Sequence, residues 1–103
     1  YILFSDKRAK MAQALSNKGK IDLAISTMSK SEKYFLKIPS LLKDSKEQGV
    51  APSQELLDEA KASNNKHKEI IQELLKKAPE GEQNRITEIM KINETSQKLL
   101  EDL

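Results

Sequence analysis

Gly19 constrains this chain more than any other residue. It closes the run Ala14-Leu15-Ser16-Asn17-Lys18 and opens Lys20-Ile21-Asp22-Leu23-Ala24-Ile25. Both flanks carry apolar residues at helical spacing. A glycine ends a helix by entering the left-handed region without a Cβ penalty. The pattern therefore predicts a helix, a one-residue break, and a second helix folding back on the first. An all-α bundle grows from such a hairpin.

The first helix is expected over about 1–18, with Phe4, Met11 and Leu15 on its inner stripe beside Ala9 and Ala12. Ser5-Asp6 resembles an N-cap pair, but apolar residues on both sides favour an unbroken helix. The second is expected over 20–48. Its stripe is Ile21, Ala24, Ile25, Met28, Phe35, Ile38 and Leu42, and four of these recur every seven residues, the register of left-handed bundles. Pro39 lies inside it. A proline there removes a hydrogen bond and clashes one turn back, so a kink near Phe35 to Pro39 is expected, ahead of a division into two helices.

Gly49 ends that helix and Ser53 is the expected N-cap of a third, over 53–77. Leu56, Leu57, Ala60, Asn64, His67, Ile70, Ile71, Leu74 and Leu75 form its inner face. Pro79 suits the first position of a fourth helix, over 79–103, with Ile86, Ile89, Met90, Asn93, Ser96, Leu99, Leu100 and Leu103 inward. All connections are short. The expected fold is one domain, 1–103: an antiparallel up-down four-helix bundle with a short first helix and three long ones.

Composition narrows the chemistry. There is no cysteine, which excludes disulfides, thiolate nucleophiles and cysteine-based metal sites. No apolar run approaches the roughly 18–20 residues of a membrane span. The chain starts within the apolar run Tyr1-Ile2-Leu3-Phe4, which reads as a domain cut from something longer, with a leader or anchor upstream left open. Residues 1–48 carry net charge +5 and residues 49–103 carry −3. Helices of complementary charge packing on one another explain this better than a nucleic-acid face, which concentrates cations without interruption.

His67 is the only histidine. Carboxylate-bridged di-metal bundles need Glu-x-x-His on two helices, and the residue three before His67 is Asn64. The better reading is an interior polar layer of Ser31, Tyr34, Asn64, His67, Asn93 and Ser96, hydrogen-bonded so as to fix helix register. His67 within it would make stability depend on pH near neutrality. Asn93-Glu94-Thr95 matches a glycosylation acceptor, but Asn93 is expected to point inward in mid-helix. The three glycines are scattered, so no phosphate-binding loop is present.

Two blocks carry a family resemblance. The first is Asp6-Lys7-Arg8, Ala12 to Leu15, Lys18-Gly19-Lys20, Leu23-Ala24 and Ser31-Glu32-Lys33-Tyr34. The second is Lys66-His67 with Leu74-Leu75-Lys76-Lys77-Ala78-Pro79-Glu80. Together they resemble an uncharacterised bacterial family, a domain of unknown function whose members are helical and often exported or membrane-anchored. The resemblance covers most of the chain, with Pro39 a departure from its pattern, and implies a cell-envelope setting but no activity. Gly19 with Ala24-Ile25 also resembles a tetratricopeptide turn. That fold needs a second turn 34 residues on, where Ser53 stands in a capping context instead.

The expected function is thus a non-enzymatic scaffold or protein-interaction domain, with no cofactor and with a protein as partner. Two alternatives remain: a small-ligand or metal-binding bundle using the polar layer, and nucleic-acid binding through basic helices 1 and 2.

Overall fold

The computed structural model describes residues 2–103, and among them the fold is all-helical. Helix α1 spans Ile2–Asn17, α2 Ile21–Phe35, α3 Lys37–Glu47, α4 Gln54–Lys77 and α5 Gln83–Glu101, the last preceded by a 3₁₀ turn at Glu80–Glu82. Tyr1, expected to begin the first helix, lies outside the described residues.

Gly19 has φ +79° and Gly49 has φ +91°. Each sits in a paired cap. The Lys20 N–H donates to Leu15 O at 2.9 Å and the Gly19 N–H to Ser16 O at 3.0 Å. The Val50 N–H donates to Ser45 O at 2.9 Å and the Gly49 N–H to Lys46 O at 3.1 Å. These bonds satisfy carbonyls that a helix end would otherwise leave open. Ser53 caps α4, its hydroxyl accepting from the Leu56 N–H at 3.1 Å.

The helix expected over 20–48 is divided, which corrects the expectation of a single kinked helix. Leu36 separates α2 from α3 while keeping right-handed helical dihedrals (φ −57°, ψ −22°). Pro39 thereby becomes the third residue of α3. In a first turn its missing N–H is no loss, because those donors lack helical partners anyway. Pro79 is also displaced from its expected role. It is extended (φ −62°, ψ 156°) and precedes the 3₁₀ turn, so α5 starts four residues later. Gln83 then ties the turn together, its Nε2 donating to Leu75 O at 3.0 Å and to Ala78 O at 2.9 Å.

Helix α1 packs on α2 and α4, α5 packs on α2 and α4, and α2 also meets α4. Side-chain pairs give the directions. Ser5 on α1 meets Ser31 on α2, so those two run antiparallel. Asp6 with Ser63, Gln13 with Glu73 and Asn17 with Lys77 show α1 and α4 side by side in the same direction.

The buried face of α1 is Ser5, Ala9, Ala12 and Ser16. Phe4 and Met11, expected inside, are exposed, and Leu15 is half-buried. Small side chains let α1 lie close to α2, and the larger apolar residues are left on its flank. The other stripes are closer to expectation, although Leu75 is exposed and Leu56 and Leu99 are half-buried. Two apolar clusters result. The larger contains Ala9, Ala12, Ala24, Ile25, Met28, Ile70, Ile71, Leu74, Ile86 and Ile89. The smaller contains Phe35, Ile38, Ala60 and Leu100.

Candidate functional site: a buried histidine between two carboxylates

Between the two clusters, at the level of Glu32, Asn64, His67 and Asn93, the interior turns polar. Helix α4 places His67 one turn below Ile71 and one above Asn64, with only 1% of it exposed. Its Nδ1 lies 2.7 Å from Glu32 Oε1 on α2, and its Nε2 lies 2.8 Å from Asp6 Oδ1 on α1. Phe35 packs edge-on against the ring, with centroids 5.2 Å apart.

Helix α5 completes the centre. The Asn93 Nδ2 donates to Glu32 Oε2 at 3.2 Å, and to Asn64 O at 3.1 Å and Asn64 Oδ1 at 3.3 Å. The Ser63 hydroxyl donates to Asp6 Oδ1. The Ser31 hydroxyl donates to Ser5 O at 2.9 Å. One network thus joins α1, α2, α4 and α5.

The geometry favours a proton on both nitrogens of the ring. Each ring nitrogen faces a carboxylate oxygen, and a neutral imidazole would set a lone pair against one of them. Burial on its own pushes the His67 pKa down. Hydrogen bonds and charge from Glu32, then from Asp6, more than offset this, and the net shift is upward from 6.5. The charged form of His67 is therefore favoured by the two carboxyl groups that hold it. Glu32 is fully buried, whereas the Asp6 side chain is 37% exposed. A shallow groove of about 250 Å³ between α1 and α4 reaches the Asp6–His67 edge.

This arrangement does little of the chemistry its residue types allow elsewhere. In a Ser-His-Asp arrangement the serine uses a histidine nitrogen as its base. Here both nitrogens serve carboxylates, and the Ser63 proton goes to Asp6. A metal needs donors converging on one point, but Glu32 and Asp6 bind opposite edges of the ring. No cluster of three histidine or acidic side chains suited to a metal ion occurs among the described residues.

Of the six residues expected in the polar layer, Asn64, His67 and Asn93 meet in this network. Ser31 is buried beside it and bonds to α1. Ser96 is buried one turn away, and its hydroxyl has no hydrogen-bond partner among the described residues. Tyr34 is not part of the layer. It is half-buried on the outer side of α2, with Phe4 edge-on at 6.3 Å and Arg8 and Lys37 at 5.4 and 5.1 Å from its ring centre. It stands two residues past Glu32, too far round the helix to share its direction.

Sequence reasoning missed Glu32, Asp6 and Ser63. Glu32 was detectable: it lies seven residues after Ile25 and four after Met28, a carboxylate on the apolar stripe of a chain with one inward histidine. Asp6 carried no comparable signal, because it sits at the edge of its helix's buried face.

The charge expectation also needs correction. The acids of the C-terminal half do not pair with the lysines of the first two helices. No lysine or arginine of α1 or α2 forms an ion pair among the described residues. The ion pairs between the halves have the opposite polarity: His67 on α4 meets Glu32 and Asp6, and Arg85 Nη1 on α5 contacts Asp22 Oδ1 on α2 at 2.6 Å.

No helix of the described residues is long and apolar enough to cross a membrane. No protein family, curated protein or solved structure matches this chain.

Proposed function

We propose that the chain is a non-enzymatic helical scaffold or protein-interaction module, built as an up-down four-helix bundle. The observation that carries this reading is the His67 centre. Its histidine ring, two carboxylates and the Asn93 amide nitrogen bond to one another across four helices, and the Asn93 Oδ1 is left buried without a partner among the described residues. Such a network specifies register, because sliding α2 or α4 by a turn would separate the buried Glu32–His67 pair. A pinned, rigid bundle is suited to holding other elements at fixed positions. A bacterial cell-envelope setting rests on the resemblance carried by the Gly19 and Pro79 blocks.

Thermal melts with and without added Zn²⁺ test the reading against the ligand-binding alternative. A ligand that binds only the folded state raises the melting temperature. The scaffold reading expects no rise. A rise that disappears in His67→Gln would replace it with a metal-binding function.

A further inference from the structure

The α1–α2 hairpin has an outer face that contains no acid. On α1 and just after it, the helical spacing brings Phe4, Lys7, Met11, Ala14 and Lys18 to one side. On α2 and the start of α3, the same spacing brings Leu23, Thr27, Lys30, Tyr34 and Lys37 to the adjoining side. The Phe4–Tyr34 ring contact shows that the two rows lie next to one another. Phe4 is 61% exposed, Met11 58% and Leu23 55%.

The three acids of α1 and α2 are all committed elsewhere. Asp6 and Glu32 hold His67, and Asp22 holds Arg85. The buried centre therefore does more than set register. It withdraws negative charge from the hairpin and leaves Lys7, Lys18, Lys30 and Lys37 without acidic neighbours on that face.

We propose that this face docks on an anionic lipid bilayer, lying flat in the headgroup region. Two antiparallel helices side by side present a broad, nearly planar surface, which matches a bilayer better than a groove. Large exposed apolar side chains set among lysines fit both halves of a membrane surface. Phe4, Met11 and Leu23 enter the acyl boundary, and the lysines meet the lipid phosphates. Arg8, held like Lys37 over the Tyr34 ring, adds a further cation beside the face. Nucleic acid would use the lysines but gives exposed methionine and leucine no role. This proposal goes beyond the scaffold reading and does not depend on it.

The test is flotation of the protein with vesicles of phosphatidylcholine alone, or of phosphatidylcholine with phosphatidylglycerol. Binding is expected only to the anionic vesicles, and to weaken with salt. Reversing two cations, Lys7→Glu with Lys30→Glu, should weaken it by at least about tenfold. Met11→Ser with Leu23→Ser should also weaken it while leaving the salt dependence in place. All four positions are exposed, so circular dichroism of each variant should match the parent. Equal binding to neutral vesicles, unchanged binding by the variants, or binding to polyuridylate or polyglutamate but not to vesicles would overturn the proposal.

Discussion

Glu32 and His67 face each other in the interior, Oε1 to Nδ1 at 2.7 Å, with side chains 0% and 1% exposed. A pair this deep is held by more than mutual attraction. Glu32 Oε2 receives Asn93 from α5, and the far nitrogen of His67 reaches Asp6 on α1. Taking two charges out of water costs several kcal/mol per ion, and such bonds are what repay it.

Removing one member should therefore cost more than the pair contributes net. Glu32→Gln leaves the imidazolium with one anion and should destabilise the fold by about 3 kcal/mol. Urea denaturation monitored by circular dichroism measures this. A change of a few tenths would show that the pair is not held as described.

Stability should depend on pH in a definite direction. His67 is raised in the folded state from 6.5. Its contribution is then fully present below about pH 6.5 and is lost as pH rises through the higher folded value. The groups facing it are Glu32 from α2 and Asp6 from α1, while α5 supplies only the Asn93 amide. Lys10, Lys66 and Glu69 line the groove alongside. Unfolding free energy measured from about pH 6 upward should decline in the parent and decline less in His67→Gln. Parallel profiles would contradict the assignment.

Gly19→Ala should cost about 1–2 kcal/mol, the strain of an L-residue at positive φ. Among the described residues, no atom beyond Gly19 and its chain neighbours lies within 4 Å of the position a Cβ would take, so the cost is backbone strain and not a clash. Gly19→Asn should cost less, since asparagine tolerates the left-handed region. Chemical denaturation of the two variants tests that order.

Pro39→Ala distinguishes a divided helix from a continuous one. In an uninterrupted helix, replacing an interior proline should stabilise by about 3 kcal/mol. At the third position of α3, where Pro39 is also buried, the change should stay within about 1 kcal/mol. A large gain in melting temperature would mean that Pro39 strains the helix.

Much of the fold was legible because helix punctuation is local. Gly19, Gly49 and Ser53 act through a few neighbouring backbone groups, and their chemistry can be read within a window of six residues. The stripe of α4 through Leu57, Ala60, Asn64, His67, Ile71 and Leu74 was legible for a similar reason, being strongly periodic. Helix α1 was not. Its two faces are both mixed, and choosing Ser5 and Ser16 over Phe4 and Met11 depends on how closely α2 approaches. That is a property of the pair of helices and not of either alone.

The sequence by itself determined that the chain is helical, where most of its helices end, and that His67, Asn64 and Asn93 point inward. Periodicity and caps are short-range and need no knowledge of the partner. Only the tertiary structure decided what His67 meets. Its carboxylates come from residues 35 and 61 positions away, on two other helices. The same packing decided where the negative charge of the first two helices goes. Net charge counts Asp6 and Glu32 against the lysines around them, but folding buries Glu32 and turns Asp6 toward α4, and a nearly neutral chain acquires a face of lysines without acids.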